Sequence, residues 1–189
     1  MSTTALLVMD VQEGIVRRFA RDADYLPRLR RAVDAARVAA VPVVYVRVGF
    51  RAGFPEVSPR NKSFAAVVER PGLTDTDPDT AVHHAVAPAP GEVVVVKRRV
   101  SAFSGSDLEV VLRAAGVDHL VLTGIATSGV VLSTLRQAAD LDYRLTVLAD
   151  ACLDLDEEVH RVLVEKVFPR QADVHTVEEW VGQLAGPTG

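Results

Sequence analysis

Two ionisable side chains directly follow apolar segments that have the composition of buried strands. Asp10 comes after residues 5–9, and Lys97 comes after residues 93–96. Burial raises the pKa of a carboxyl group and a neighbouring ammonium lowers it, so a lysine beside a buried aspartate makes a tunable acid/base group. The two residues therefore predict proton-transfer chemistry if the fold brings them together. Taken singly, Asp10 could instead cap a helix, and Lys97 could be a strand-end lysine that reaches solvent.

A turn of small residues offers a different kind of chemistry. Residues 124–129 read Gly-Ile-Ala-Thr-Ser-Gly and lead into a predicted helix. The first N–H groups of a helix have no partner inside it, so they can bind an anion or a developing oxyanion. Small residues at such a junction can also serve close packing alone, and that alternative stays open.

The elements that must position these groups are apolar segments, rich in β-branched residues, that alternate with helical patterns. The predicted strands are 5–9, 43–48, 92–96, 119–123, 145–149 and a weaker one at 172–175, which are short apolar runs without alternation, as in strands buried on both faces. The predicted helices are 25–39, 107–115, 128–140, 156–167 and 177–184. This order predicts an α/β fold, a three-layer, mostly parallel Rossmann-like sheet of about six strands with helices on both faces.

Ligands of open parallel sheets bind beyond the carboxyl ends of the strands, so the residues after each strand define the predicted site. Among them, arginine is suited to a substrate carboxylate because its guanidinium can donate two parallel hydrogen bonds. The predicted contacts of a small-molecule substrate are Gln12, Thr127 and Arg47, with Arg51, Phe50 and Phe54 as further candidates.

Residues 49–91 interrupt the alternation of predicted strands and helices, because they contain several prolines and no sustained helical or strand period. A segment that long inside a compact domain is typical of a lid or pocket wall, and a surface excursion or an oligomer contact are the alternatives. Nothing else reads as a linker or a repeat. We therefore predict one domain over residues 1–189, with residues 185–189 frayed.

Charge and cysteine content exclude several classes of function. A formal net charge of −4 argues against nucleic acid as the main ligand. A single cysteine, Cys152, excludes an internal disulfide and a multi-cysteine metal site. The sequence opens without a basic leader or a long apolar segment, so we expect no signal peptide, no membrane contact and a cytoplasmic location.

Together, these segments resemble the isochorismatase-like hydrolases, also called the cysteine hydrolase family, which includes nicotinamidases and N-carbamoyl amidases. The resemblance rests on the order and spacing of motifs between residue 5 and about residue 180. They are Leu-Leu-Val-Met-Asp-Val-Gln at 6–12, Val-Lys at 96–97, Ser-Ala-Phe at 101–103, Leu-Val-Leu-Thr-Gly-Ile-Ala-Thr at 120–127, Ser-Thr at 133–134 and Val-Leu-Ala-Asp-Ala at 147–151. The resemblance implies a parallel sheet between helical layers and a homo-oligomer, either a dimer or a tetramer.

The same resemblance assigns roles to single residues. The family uses an aspartate as general base, a lysine that supports charge and a cysteine that attacks an amide carbon, which implies Asp10 and Lys97 for the first two roles. It also implies that the backbone N–H groups of Ala126 and Val130 line an oxyanion hole. Ile125–Ala126 matches the place where the family often has a cis peptide bond, and Phe103 would lie at the substrate site.

The position that the resemblance gives to the cysteine holds Val130, which cannot form a thioester. Isochorismatases work without that cysteine, because protonation of a vinyl ether by the aspartate and attack by water suffice, although they carry a tyrosine where this chain has Ala126. We therefore predict a hydrolase of a small molecule, acting on a vinyl ether or a C–N bond through Asp10. The alternatives are a catalytically silent relative that binds a ligand or a protein, and an amidase that uses Cys152 or a serine, Ser128 or Ser133.

The zinc site of nicotinamidases is not expected in this chain. Residues 47–51, which match its Asp-x-His pair, contain no histidine. His83 and His84 are adjacent, and neighbouring residues on a regular helix or strand point in different directions. We predict no metal and no other cofactor.

Overall fold

The computed structural model describes residues 3–19, 22–69 and 72–186. Its centre is a six-stranded sheet of β1 (Thr4–Met9), β2 (Val43–Val48), β3 (Val93–Lys97), β4 (His119–Ile125), β5 (Arg144–Leu153) and β6 (Asp173–His175). The strands pair in parallel in the order β3-β2-β1-β4-β5-β6. The predicted fold class is confirmed. Because the chain moves outward in opposite directions from β1 and β4, the ends of these two strands flank the switch point where ligands of such sheets bind.

Helices cover both faces of the sheet. They are α1 (Glu13–Phe19), α2 (Tyr25–Val38), α3 (Lys62–Ala65), α4 (Leu108–Ala114), α5 (Leu132–Asp140), α6 (Glu157–Val162) and α7 (Val177–Leu184). A π-helical turn, Thr127–Val131, precedes α5, and another, Leu163–Val167, follows α6. The predicted helices are all present. The sequence pattern missed α1, because this short helix buries only Val16 and shows no apolar period over two turns.

Two apolar clusters hold the layers together, and β1 contributes to both. Leu7 and Met9 belong to the cluster that includes Leu135 of α5, whereas Leu6 belongs to the one that includes Leu29 of α2. All these side chains are fully buried. Burial on both faces explains why the strand sequences are apolar without alternation.

β5 continues beyond its predicted end, although Asp150 interrupts the apolar run. The register with β4 shifts between Leu122 and Gly124, after which Gly124 pairs with Cys152 and Ile125 with Leu153. The strand thus bulges where the sequence suggested an end. Asp150 lies at the bulge and accepts a hydrogen bond from the Val177 N–H at 2.8 Å, which fixes the start of α7.

Residues 49–91, apart from 70 and 71, form a packed wall with a small apolar cluster of Phe50, Phe64 and Val67. The rings of Phe50 and Phe64 meet edge to face at 5.6 Å. Arg98, just after β3, ties the wall down through two hydrogen bonds to Asp75, of 2.7 and 2.8 Å. The segment is therefore anchored to the sheet, while its role as a lid or pocket wall stays a prediction.

The ends of the chain and its outer surface bear on three further predictions. Residues 187–189 of the predicted frayed tail lie outside the described residues. No helix in the described part of the chain is long and apolar enough to cross a membrane. β3 forms one edge of the sheet with Val93 and Val94 partly exposed, and the predicted dimer or tetramer stays a prediction.

Candidate active site

The structure brings Asp10 and Lys97 together. Lys97 Nζ lies 2.9 Å from Asp10 Oδ2, and the two side chains are 3% and 9% exposed. Nζ also donates to the backbone oxygens of Arg99 at 2.9 Å and Val100 at 3.0 Å. These three acceptors match the three N–H bonds of an ammonium group, so the Lys97 side chain is held in one position against the carboxyl group.

An unusual backbone conformation turns Asp10 toward the lysine. Side chains alternate along β1, so regular extension would place Asp10 on the face opposite Met9 and Lys97. Instead, Asp10 has a left-handed φ of 56°, a conformation that aspartate adopts more readily than most residues. The reversal puts the carboxyl group against Lys97.

One oxygen of Asp10 has no partner. Oδ1 is buried and makes no hydrogen bond within the described residues, while Oδ2 contacts Lys97. Burial raises the pKa of Asp10, and the charge and hydrogen bond of Lys97 oppose that rise without cancelling it. The group can therefore hold a proton above the usual range of an aspartate and pass it through Oδ1.

The segment after β3 holds Lys97 in place, and it is in turn held by α5. The Ala102 N–H donates to Thr134 Oγ1 at 2.9 Å, and Ser101 Oγ donates to Gln137 Oε1 at 2.7 Å. Phe103, a predicted substrate contact, is 7% exposed and packs against Tyr143 with ring centroids 6.0 Å apart. In this structure Phe103 is a core residue, and it belongs to the same segment as Arg99 and Val100, whose backbone oxygens accept hydrogen bonds from Lys97.

Gln12 has contacts that the sequence could not reveal. Its Nε2 donates to the oxygens of Val48 at 2.9 Å and Thr80 at 3.0 Å, and its Oε1 accepts from the Val48 N–H at 2.8 Å. Both amide hydrogens are used, so Gln12 joins the end of β2 to residues 49–91. Gln12 thus clamps the end of β2 beside the site, and its contact with a substrate stays a prediction.

Arg47 is not brought to the Asp10–Lys97 pair. Lys97 is in register with Val48, so alternation along β2 places Arg47 on the opposite face. Its guanidinium donates to Thr80 Oγ1 at 3.2 Å. The other recognition candidates of this region are also engaged: Arg51 pairs with Glu56, Phe50 is fully buried and Phe54 packs on Phe50.

The turn after β4 lies across the switch point from Asp10. The Ile125–Ala126 peptide bond is cis, as the resemblance implies. Three N–H groups of the turn are already engaged: that of Ser128 donates to Asp154 Oδ2 at 2.7 Å, and those of Gly129 and Val131 donate to the Ala126 oxygen at 3.1 and 3.2 Å. The N–H groups of Ala126 and Val130, which the resemblance assigns to the oxyanion hole, are not among these three.

A histidine that the sequence did not single out contacts this turn. His160 on α6 lies with its Nδ1 2.8 Å from Oγ1 of Thr127, which is fully buried. The hydroxyl group of Thr127, a predicted substrate contact, is therefore hydrogen-bonded to the His160 ring. No sequence signal marked His160, because the contact spans separate elements.

The one thiol of the chain lies in an environment that is unfavourable for a nucleophile, and Val130 supplies no nucleophilic atom. Cys152 is 2% exposed within β5, and burial raises the pKa of its thiol to about 12. A thiol is a nucleophile only when it is deprotonated, so Cys152 is unreactive near neutral pH. Val130 is 2% exposed and belongs to the apolar cluster of Met9.

Glu13, His83 and His84 place potential ligand atoms within 4.8 Å of one another. The expectation that adjacent histidines point apart was wrong, because His83 precedes a 3₁₀ turn (His84–Val86) and the two rings stack at 4.2 Å. His83 Nδ1 accepts from the Ala85 N–H at 3.2 Å, which puts the ring proton on the nitrogen that faces Glu13. His84 Nδ1 lies 2.9 Å from Glu13 Oε1, so Glu13 has a hydrogen-bond partner inside the cluster, and the absence of a metal stays a prediction.

Known proteins resemble this chain over nearly its whole length. A sequence profile for the isochorismatase domain matches residues 4–179. YecD of Escherichia coli O157:H7, an isochorismatase family protein, is 35% identical over 96% of each chain. The ureidoacrylate amidohydrolase RutB of Stutzerimonas stutzeri (strain A1501) is 32% identical over 97% of this chain and 79% of its own. A solved cysteine hydrolase from Pseudomonas syringae pv. phaseolicola 1448A superimposes with a TM-score of 0.89 at 26% identity, over 96% of this chain and 92% of its own.

Proposed function

Because the chain belongs to the isochorismatase family of hydrolases, we propose that it hydrolyses a small molecule by proton transfer at Asp10. Lys97 is the electrostatic partner of that carboxyl group. Water attacks the substrate directly, without a covalent enzyme intermediate. The backbone N–H groups of Ala126 and Val130 bind the substrate's oxygen atoms, and no cofactor takes part.

The unpartnered Oδ1 of Asp10 is the observation that carries this proposal. A buried polar atom without a hydrogen bond costs free energy, so its persistence is typical of a catalytic group whose partner is the substrate. Lys97 fixes the other oxygen, which leaves Oδ1 as the atom that exchanges the proton. The ammonium also limits the cost of ionising a carboxyl group at a buried position.

A vinyl ether needs only these groups. The proton of Asp10 moves from Oδ1 to the terminal enol carbon, where a C–H bond forms and an oxocarbenium ion results. Water adds to the cationic carbon and returns one proton to the carboxylate. The hemiketal then breaks its C–O bond as its hydroxyl proton is transferred to the departing oxygen, which gives a ketone and an alcohol. The net change is the addition of one water molecule.

Similarity to a ureidoacrylate amidohydrolase favours a C–N bond as the second candidate. In that reaction the ionised Asp10 takes a proton from water, which attacks the carbonyl carbon. The same carboxyl group then protonates the departing nitrogen. Val130 and the buried, protonated thiol of Cys152 support direct attack by water in this reaction as well.

The test is turnover of both substrate classes with the mass of the intact protein followed in parallel. We expect pyruvate release from isochorismate, and no mass increase of the enzyme during turnover. Ammonia release from ureidoacrylate without pyruvate release would move the assignment to the C–N bond. A covalent adduct on the peptide that contains Cys152 would contradict direct attack by water, and a folded protein that turns over neither class would leave a silent binder.

The pH dependence separates the two reactions. For vinyl ether cleavage Asp10 must start protonated, so kcat should fall as pH rises through the pKa of the carboxyl group, which burial raises above 3.8. For C–N hydrolysis Asp10 must start ionised, so kcat should rise over the same titration. Measuring kcat from about pH 4 to 9 at saturating substrate distinguishes them. A flat profile would contradict proton transfer by Asp10 in either reaction.

A further inference from the structure

Two contacts from one segment hold the turn at the end of β4. The segment between β5 and α6 supplies Asp154, whose Oδ2 accepts the Ser128 N–H at 2.7 Å. Further along, α6 supplies His160, whose Nδ1 lies 2.8 Å from Thr127 Oγ1. We call this pair of contacts the clasp. It grips two consecutive residues directly after Ala126.

The clasp lies where it can influence the predicted oxyanion hole. The direction of a backbone N–H group is set by the backbone conformation around it and not by the side chain of its residue. The orientation of the N–H groups of Ala126 and Val130 depends on the backbone of the residues between them. Ala126 O closes the turn internally by accepting from Gly129 and Val131, while the clasp fixes it from outside at Thr127 and Ser128. Preorganised N–H groups are among the strongest contributors to stabilisation of developing charge.

The hydrogen bond between His160 and Thr127 suits a neutral ring. With the ring proton on Nε2, the Thr127 hydroxyl donates to Nδ1, and its hydrogen is satisfied inside the protein. With both nitrogens protonated, Nδ1–H must donate to Oγ1, and the hydroxyl hydrogen of the fully buried Thr127 loses its acceptor. Burial lowers the pKa of His160 and so favours the neutral form.

The charged groups around His160 lie on three elements. Asp154, in the segment before α6, acts to raise the pKa of the imidazole, and burial outweighs it. The turn packed against the ring, Thr127–Val131, carries no charged side chain. The histidine's own helix has the acidic residues Asp156, Glu157 and Glu158 at its start, and Arg161 is paired with Glu165 at 3.0 Å. Protonation of His160 therefore weakens its half of the clasp as pH falls.

Resting on the proposed function, we propose that His160 is a positioning residue of the active site. Through the Thr127 hydroxyl it holds the turn so that the N–H groups of Ala126 and Val130 meet the oxygen atoms of the substrate. It acts on the transition state through the backbone and does not touch the substrate.

The test compares variants that break the same hydrogen bond from either side. His160→Leu removes the ring, and Thr127→Val removes the hydroxyl at nearly constant volume. We expect each to lower kcat by roughly 10- to 100-fold with KM little changed, below the loss of a whole oxyanion donor. The double variant should lose little more than either single one, because both changes break one contact. His160→Gln, which keeps a polar partner but cannot titrate, should retain most of kcat and should not show the loss of kcat at acid pH that protonation of His160 causes in the wild type.

A second readout keeps this inference separate from the proposed function. The protection of the backbone amides of residues 126–131 against hydrogen exchange, relative to the intrinsic exchange rate at the same pH, should fall in His160→Leu and should fall in the wild type at acid pH. His175→Leu, which removes a partly exposed histidine on β6, serves as the control and should change neither kcat nor this exchange. Unchanged exchange in His160→Leu, or a lower melting temperature with kcat intact, would overturn the role of His160. Loss of turnover from the wild type itself would overturn the proposed function instead.

Discussion

Asp10→Asn is expected to lower kcat by about 10³-fold, within the range that positioned acid/base groups contribute. The amide cannot exchange the proton that Oδ1 carries, whereas its oxygen can still accept the hydrogen bond of Lys97. The fold should therefore survive, and KM should change little. Steady-state kinetics, together with thermal unfolding followed by circular dichroism, measures both effects.

Asp142→Asn is the matched control for this substitution. Asp142 shares the left-handed backbone of Asp10, with φ of 63°, but is exposed just before β5, far along the chain from the pair. Asparagine adopts this conformation readily, so activity and stability should both stay near those of the wild type. A kcat for Asp10→Asn close to that of the wild type would rule out proton transfer by Asp10. If Asp10→Asn does not fold, Asp10→Glu is measured instead. Its side chain keeps a carboxyl group, but the added length displaces that group, so kcat should still be lower than in the wild type.

The sequence was sufficient to predict the sheet because burial on both faces leaves an unmistakable composition. β1 after Thr4 and β4 over residues 120–122 are apolar without alternation, and Asp10, the first polar residue after β1, marks the carboxyl end where ligands of such sheets bind. The same reasoning failed at β5. A charged residue after an apolar run, here Asp150, predicts the end of a strand, but the pairing with β4 continues beyond the bulge. Local composition therefore locates strands, but long-range pairing decides where they stop.

The site was predictable only in part, for a related reason. Asp10 and Lys97 could be paired from topology, because parallel strands end at one edge of the sheet. The left-handed backbone that turns Asp10 onto Lys97 has no sequence signature. Gln12 and Thr127 were singled out because they follow strands, but their partners Val48 and His160 lie far away in the chain. Such partners determine whether a polar group faces a ligand or the protein.

Gly124→Ala is expected to be the most destabilising single change at this edge of the sheet. Gly124 pairs with Met9 across β1 and β4, and a Cβ placed on it would lie 2.1 Å from the Met9 oxygen and 2.9 Å from the Met9 carbonyl carbon. These are backbone atoms, so no rotamer change can relieve the clash. The φ of 137° at this position adds conformational strain for any residue other than glycine. Overpacking and strain together should lower the free energy of unfolding by about 2–5 kcal/mol.

Gly116→Ala isolates the close approach from the strain. Gly116 also has a positive φ, of 64°, but a Cβ there would meet nothing within 4 Å. Its substitution should cost only the conformational term, about 1 kcal/mol. Chemical denaturation of both variants gives the difference, and equal costs would contradict the argument from close packing. Because Met9 directly precedes Asp10, the backbone shift forced by the added methyl group should also displace the carboxyl group, so the residual folded Gly124→Ala should show a lower kcat while Gly116→Ala retains it.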